Sequence, residues 1–198
     1  MLVVVTPHGP ASVHLHSVEK PRAALVLGHG AAGGVNSRDL VAATGAANSQ
    51  GITVALVEQP YRVAGRRAPA PAHQLDAAWI AAVDFVRAGE LRRLPLIAGG
   101  RSLGARVACR TAEATGAVGV LCLAFPLQPA RRTPAPSRLP ELDAVSVPLL
   151  VVQGARDPFG IPPAGARRTV VEVQGDHSLR TDVDAVGAAV GDWLRILL

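Results

Sequence analysis

Five apolar runs of strand length recur along this chain: AALVLG (23–28), ITVALV (52–57), LPLIAG (94–99), AVGVLCLAF (117–125) and VPLLVVQG (147–154). They are nearly continuous in Val, Leu and Ile. A strand without polar alternation has no face to give to water, so it must be covered on both sides, the condition met by parallel strands between two helical layers. Helix-length amphipathic patterns fall at 37–49, 73–88, 103–115 and 179–197, the last placing Val183, Val186, Val190, Leu194 and Leu197 at helical spacing. A further strand pattern, RTVVEV (168–173), precedes that final helix. These features predict an α/β fold.

Two more strand patterns open the chain, LVVV (2–5) and SVHLHSV (12–18), joined by PHGPA. That link is too short for a helical crossover, which predicts an antiparallel hairpin. The expectation is therefore an eight-stranded, mostly parallel sheet whose second strand is antiparallel, with helices on both faces. At 198 residues the chain suits a single domain spanning 1–198. With only 3% aromatic residues, its core must rest on Val, Leu and Ala. The Pro-rich pieces RRAPAPAHQ and QPARRTPAPSRLP read as loops, since strands continue on either side.

Composition narrows the function classes. The net charge of +5 is carried almost wholly by arginine, Lys20 being the lone lysine. The arginines are scattered, with local groups at Arg62, Arg66 and Arg67 and at Arg131 and Arg132, and no aromatic residues interleave them. This argues against specific nucleic-acid binding. The start MLVVVTPHGP does not read as a signal peptide, and no apolar stretch approaches the roughly 20 residues that span a bilayer. A cytoplasmic protein without membrane association is expected. Cys109 and Cys122 sit in apolar surroundings and read as buried free thiols, a disulfide being the alternative.

Gly100-Arg101-Ser102-Leu103-Gly104 matches G-x-S-x-G and stands between the strand LPLIAG and the helix LGARVACRTAEA. At such a seam the chain turns so sharply that neighbouring main chain passes close by, and small residues are required. Ser102 is the candidate nucleophile; a helix-capping serine is the alternative. A serine hydroxyl is a poor nucleophile at neutral pH, so it needs a base and a group that orients the base. Asp157 lies just beyond VPLLVVQG and His177 just beyond RTVVEV. Both positions fall at the carboxyl ends of parallel strands, the edge where open α/β sheets bind ligands. His8, His14 and His16 in the hairpin and His73 at a helix start fit less well. Asp176 is the alternative acid, poorly aimed because it adjoins His177.

An oxyanion hole requires two backbone N–H groups. Leu103 is placed to supply one and Ala31, in LGHGAAGG, the other. The same loop spells G-x-G-x-x-G at Gly28, Gly30 and Gly33, the dinucleotide fingerprint. Glu58, however, stands further on than that fingerprint expects, and nucleotide binding leaves Ser102, Asp157 and His177 without a joint explanation.

Taken together, His-Gly after the third strand, G-x-S-x-G after the fifth, Asp after the seventh and His after the eighth resemble the α/β-hydrolase superfamily. HGAAGG, VEQPYRVAGRRAPAPA, GGRSLGARVA, LAFPL and QGARDPFG are most similar to small bacterial proteins related to a testis-expressed α/β-hydrolase-like protein and to a subunit of the nonspecific-lethal chromatin complex. Many members insert a lid after the sixth strand. Here LAFPL and VPLLVV are separated by QPARRTPAPSRLPELDAVS, too polar and Pro-rich for a helical cap, so an open site without a lid domain is expected, as in cutinases and dienelactone hydrolases.

The resemblance implies a serine hydrolase of carboxylic esters or thioesters acting on a small molecule without a metal or organic cofactor. Arg101, Arg62 and Arg66 are candidate ligands for an anionic substrate group. For Arg101 and Arg106 the alternative is a structural ion pair, with Glu58 or Asp157. Since some eukaryotic relatives serve in complexes, a non-catalytic binding or scaffold protein is the competing class. A hydrogen bond between Ser102 and His177 at an open cleft separates the two.

Overall fold

The computed structural model describes residues 1–128 and 136–198. Arg131 and Arg132 lie outside the described residues. Eight strands form one sheet: β1 (Leu2–Thr6), β2 (Gly9–His16), β3 (Ala23–Gly28), β4 (Ile52–Glu58), β5 (Leu96–Arg101), β6 (Gly119–Leu123), β7 (Leu149–Gly154) and β8 (Arg168–Val173). Their spatial order is β1-β2-β4-β3-β5-β6-β7-β8. β2 runs antiparallel to both neighbours, and every pairing from β4 to β8 is parallel. The expected architecture is present.

Continuous apolar strands follow from two covered faces. Along β3, Leu25 and Leu27 face one helical layer while Ala24 and Val26 face the other, and all are fully buried. The first layer contains α1 (Arg38–Asn48) and α6 (Val183–Leu197), which pack on each other. The second contains α3 (Ala72–Ala88), α4 (Leu103–Thr111) and the short α5 (Leu139–Asp143). Helix α6 starts at Asp182, whose carboxylate accepts from Ala185 N–H at 3.1 Å, and lays Val186, Val190, Trp193 and Leu194 on the sheet. Each such buried aliphatic side chain is worth about 1.5–3 kcal/mol over exposure.

The structure departs from the sequence expectations at element ends. The helix expected at 103–115 ends at Thr111, and two short helices were not foreseen, α2 (Pro60–Val63) and α5. Both carry proline in their first turn, where its fixed φ suits a helix start and its missing N–H costs nothing. Between β6 and β7 the described residues hold α5 alone.

Chain order reverses between β3 and β5, which are neighbours in space and end in register, Gly28 opposite Gly100. Such a reversal leaves a crevice beyond the carboxyl ends of the strands, and the loops carrying the singled-out residues open there.

Candidate active site

At the end of β5 the chain turns into α4 through Ser102, whose φ of 51° and ψ of −105° place a non-glycine residue in strained backbone. Ser102 N–H donates to Leu123 O at 2.8 Å, and the helix begins at once with Leu103. Glycine at 104 lets α4 pass against the main chain at the end of β3: Gly104 N–H donates to His29 O at 3.1 Å, and a Cβ on Gly104 would collide with the Gly28 carbonyl. The Ser102 side chain makes no capping bond to the helix, so the capping alternative fails.

The hydroxyl instead meets His177, with Oγ 2.9 Å from Nε2. On the other side of the ring, Nδ1 lies 2.8 Å from Asp157 Oδ2. An ionised carboxylate only accepts, so in the neutral ring Nδ1 carries the proton and the Nε2 lone pair faces Ser102. The Asp157 side chain is wholly buried, and its oxygens are satisfied in full. Oδ1 accepts from Phe159 N–H at 2.9 Å, and Oδ2 accepts from Gln153 Nε2 at 2.7 Å besides His177. The Phe159 ring stands edge-on to the imidazole, centroids 4.5 Å apart, and closes its flank. Asp176, the alternative acid, is exposed and turned away. Its Oδ1 accepts from Ser178 Oγ at 2.6 Å and Ser178 N–H at 2.8 Å, and these bonds hold its carboxyl below the usual range.

The loop after β3 is fixed from two sides. His29 is buried, its Nδ1 2.8 Å from Gly30 O, and its Nε2 accepts from Gln59 N–H at 3.1 Å. Burial holds the ring's pKa below 6.5, so it stays neutral. Tyr61, in α2, donates from its hydroxyl to Ala31 O at 3.0 Å, and burial pushes its phenol up to about 12. No role is legible in sequence for His29, Tyr61, Gln153 or Phe159. A signal existed for two of them: Tyr61 is the only tyrosine, and Gln153 interrupts an apolar strand near its end.

The arginine expectations need correction. Arg101 was expected to bind substrate, but its guanidinium turns inward, with Nε 2.9 Å from Asp39 Oδ2 and Nη2 donating to His177 O at 2.9 Å. The ion-pair alternative holds with other partners: Asp39 for Arg101, and Glu141 for Arg106, through bonds of 2.9 and 2.6 Å. Arg62 is half-buried in α2. Arg66 is exposed and lines a cavity of about 220 Å³ with His8, Gln59 and Tyr61. Cys109 and Cys122 are buried free thiols, their Sγ atoms 3.4 Å apart and within reach of an S–H···S hydrogen bond.

Comparison with known proteins agrees with this fold. A family model described as an alpha/beta hydrolase domain matches residues 21–185, and the chain belongs to that family. Among solved structures it is similar to an α/β serine hydrolase without a lid from Xanthomonas campestris (TM-score 0.77, 21% identity, 100% of this chain and 94% of that one). It is also similar to an α/β serine hydrolase homologue from Coxiella burnetii (0.79, 14%, 98% and 96%). A third is Est1E from Butyrivibrio proteoclasticus with bound ferulic acid (0.80, 14%, 100% and 99%). No curated protein sequence shows significant similarity to the chain. Among the described residues no helix is long and apolar enough to cross a membrane.

Proposed function

We propose that the protein is a serine hydrolase of carboxylic esters or thioesters. The observation that carries this reading is the unbroken relay from Ser102 Oγ through His177 to Asp157, at 2.9 and 2.8 Å, beginning on a strained turn. Ser102 attacks the acyl carbon while His177 Nε2 takes its proton, and Asp157 stabilises the imidazolium that forms. His177 then returns the proton to the leaving group, and water, deprotonated by the same nitrogen, releases the acyl chain from Ser102. The N–H groups of Ala31 and Leu103 receive the developing oxyanion. In support, neither donates to a protein acceptor among the described residues.

Ser102 is half-buried rather than sealed in the core, which favours the catalytic reading over the scaffold one. A small molecule is the expected substrate, and Arg62 and Arg66 stay as candidates for an anionic group on it, Arg66 lining a cavity beside Gln59 and Tyr61.

The test is hydrolysis of a panel of p-nitrophenyl and thioester acyl chains by the wild type and Ser102→Ala. Turnover by the wild type that the variant lacks supports the reading. Turnover of none of them by folded protein, or equal turnover by both, contradicts it.

A further inference from the structure

Three segments converge on the Arg101 guanidinium. Arg101 is the last residue of β5 and directly precedes Ser102. Its Nε stands 2.9 Å from Asp39 Oδ2 in the first turn of α1, and its Nη2 donates to the backbone carbonyl of His177 at 2.9 Å. The same plane lies against the loop after β3, so closely that a Cβ on Gly30 would fall 2.6 Å from Nη1. Asp39 is wholly buried, and its other oxygen accepts from Leu40 N–H at 3.0 Å. A carboxylate stripped of water stays ionised only beside a cation, so the buried Asp39 pins the guanidinium in place. The guanidinium is a rigid planar fork, which carries that anchorage to its second nitrogen and so to the carbonyl of residue 177.

Resting on the serine-hydrolase reading, we propose that Arg101 is a positioning residue: with Asp39 it sets the backbone of His177 and backs the Gly30–Ala31 loop, so that one side chain registers the base against both the nucleophile and the oxyanion donors. Asp157 and Phe159 fix the imidazole from the loop after β7, and Arg156 N–H holds the preceding main chain at Gly175 O at 2.9 Å, while the carbonyl of His177 itself is bonded by Arg101. Arg101 supplies that hold from the end of the strand that leads into Ser102. The distance between Ser102 Oγ and His177 Nε2 is thereby set within one short stretch of chain. Charge alone does not suffice, because the two contacts come from two nitrogens of one plane. Lysine keeps the charge but offers one compact ammonium on a flexible stem, so it does not reproduce two contacts made from two nitrogens of a rigid plane.

The experiment compares wild type, Arg101→Lys and the double variant Arg101→Ala/Asp39→Asn, which removes the buried charge together with its partner so that the fold is kept. Two quantities are read on folded protein: the rate of labelling by a fluorophosphonate probe, and the downfield NMR resonance of His177 Nδ1–H, which reports its bond to Asp157. Expected are labelling rates about 10- to 100-fold lower in both variants, as for a displacement on the order of 1 Å, with the His177 resonance shifted or broadened. Wild-type rates in either variant overturn the proposal, and so does a lowered rate with an unmoved resonance. A wild type that is itself unlabelled overturns the serine-hydrolase reading, and the positioning role falls with it.

Discussion

Gln153 and His177 share one oxygen. The Gln153 Nε2 donates to Asp157 Oδ2 at 2.7 Å, the atom that also faces His177 Nδ1 at 2.8 Å. The same amide nitrogen reaches Phe125 O and Gly160 O at 3.0 Å each, so a single buried side chain ties the carboxylate to the strand ends around it. Gln153→Leu removes the two N–H groups that the carboxylate and the two carbonyls share. A loss of about 1–3 kcal/mol is expected, read as a lower urea midpoint with an unchanged denaturant slope, together with slower probe labelling as Asp157 loosens.

The close passage of α4 over β3 makes a second prediction. Gly104→Ala places a methyl group against the Gly28 carbonyl and within 2.9 Å of His29 O, main-chain atoms that cannot swing aside. Destabilisation on the order of 1–3 kcal/mol or more is expected. Gly33→Ala is the matched control: nothing lies within 4 Å of its Cβ, and its effect on the thermal midpoint corresponds to less than about 0.5 kcal/mol.

Buried His29 gives the fold a pH dependence of definite sign. Its folded pKa is depressed below 6.5 chiefly by burial; the bond to Gly30 O and the nearby Glu58 oppose the shift, and Arg62 adds to it. Above 6.5 the ring is neutral in both folded and unfolded chains, and its contribution to stability is fully present. As pH falls below that value the unfolded chain takes up a proton that the buried ring resists, so stability is lost toward the depressed folded value. Urea unfolding of wild type and His29→Asn from about pH 8 to about pH 5 should show the difference between them shrinking as pH falls. A difference independent of pH would show that His29 does not titrate on unfolding.

Tyr61→Phe deletes the hydroxyl that bonds Ala31 O at 3.0 Å while keeping the ring. Stability should fall by about 0.5–1.5 kcal/mol. If that bond aims the Ala31 N–H, kcat should fall more than KM changes, since an oxyanion donor acts in the transition state. Equal effects on both would assign Tyr61 a structural role only.

The strands and the order Ser, Asp, His were legible because they rest on local pattern: continuous apolar runs mark strands covered on both sides, and G-x-S-x-G marks one sharp turn. What was not legible is contact over distance. Arg101 finds Asp39 and Arg106 finds Glu141, partners that no spacing rule selects, and so the sequence assigned Arg101 to substrate and its ion pair to Glu58 or Asp157. Gln153 and Tyr61 reach the site only because β7 and α2 end at the same edge of the sheet as β5. The short helices α2 and α5 carry too few turns for an apolar period to register against their prolines.

The most direct measurement is the intact mass of the wild type, Ser102→Ala and His177→Ala after reaction with a fluorophosphonate. A single adduct on the wild type, mapped by peptide sequencing to Ser102 and missing from both variants, is the expected result. A folded wild type that gains no mass, or an adduct that survives in Ser102→Ala, would contradict the claim that Ser102 is an activated nucleophile.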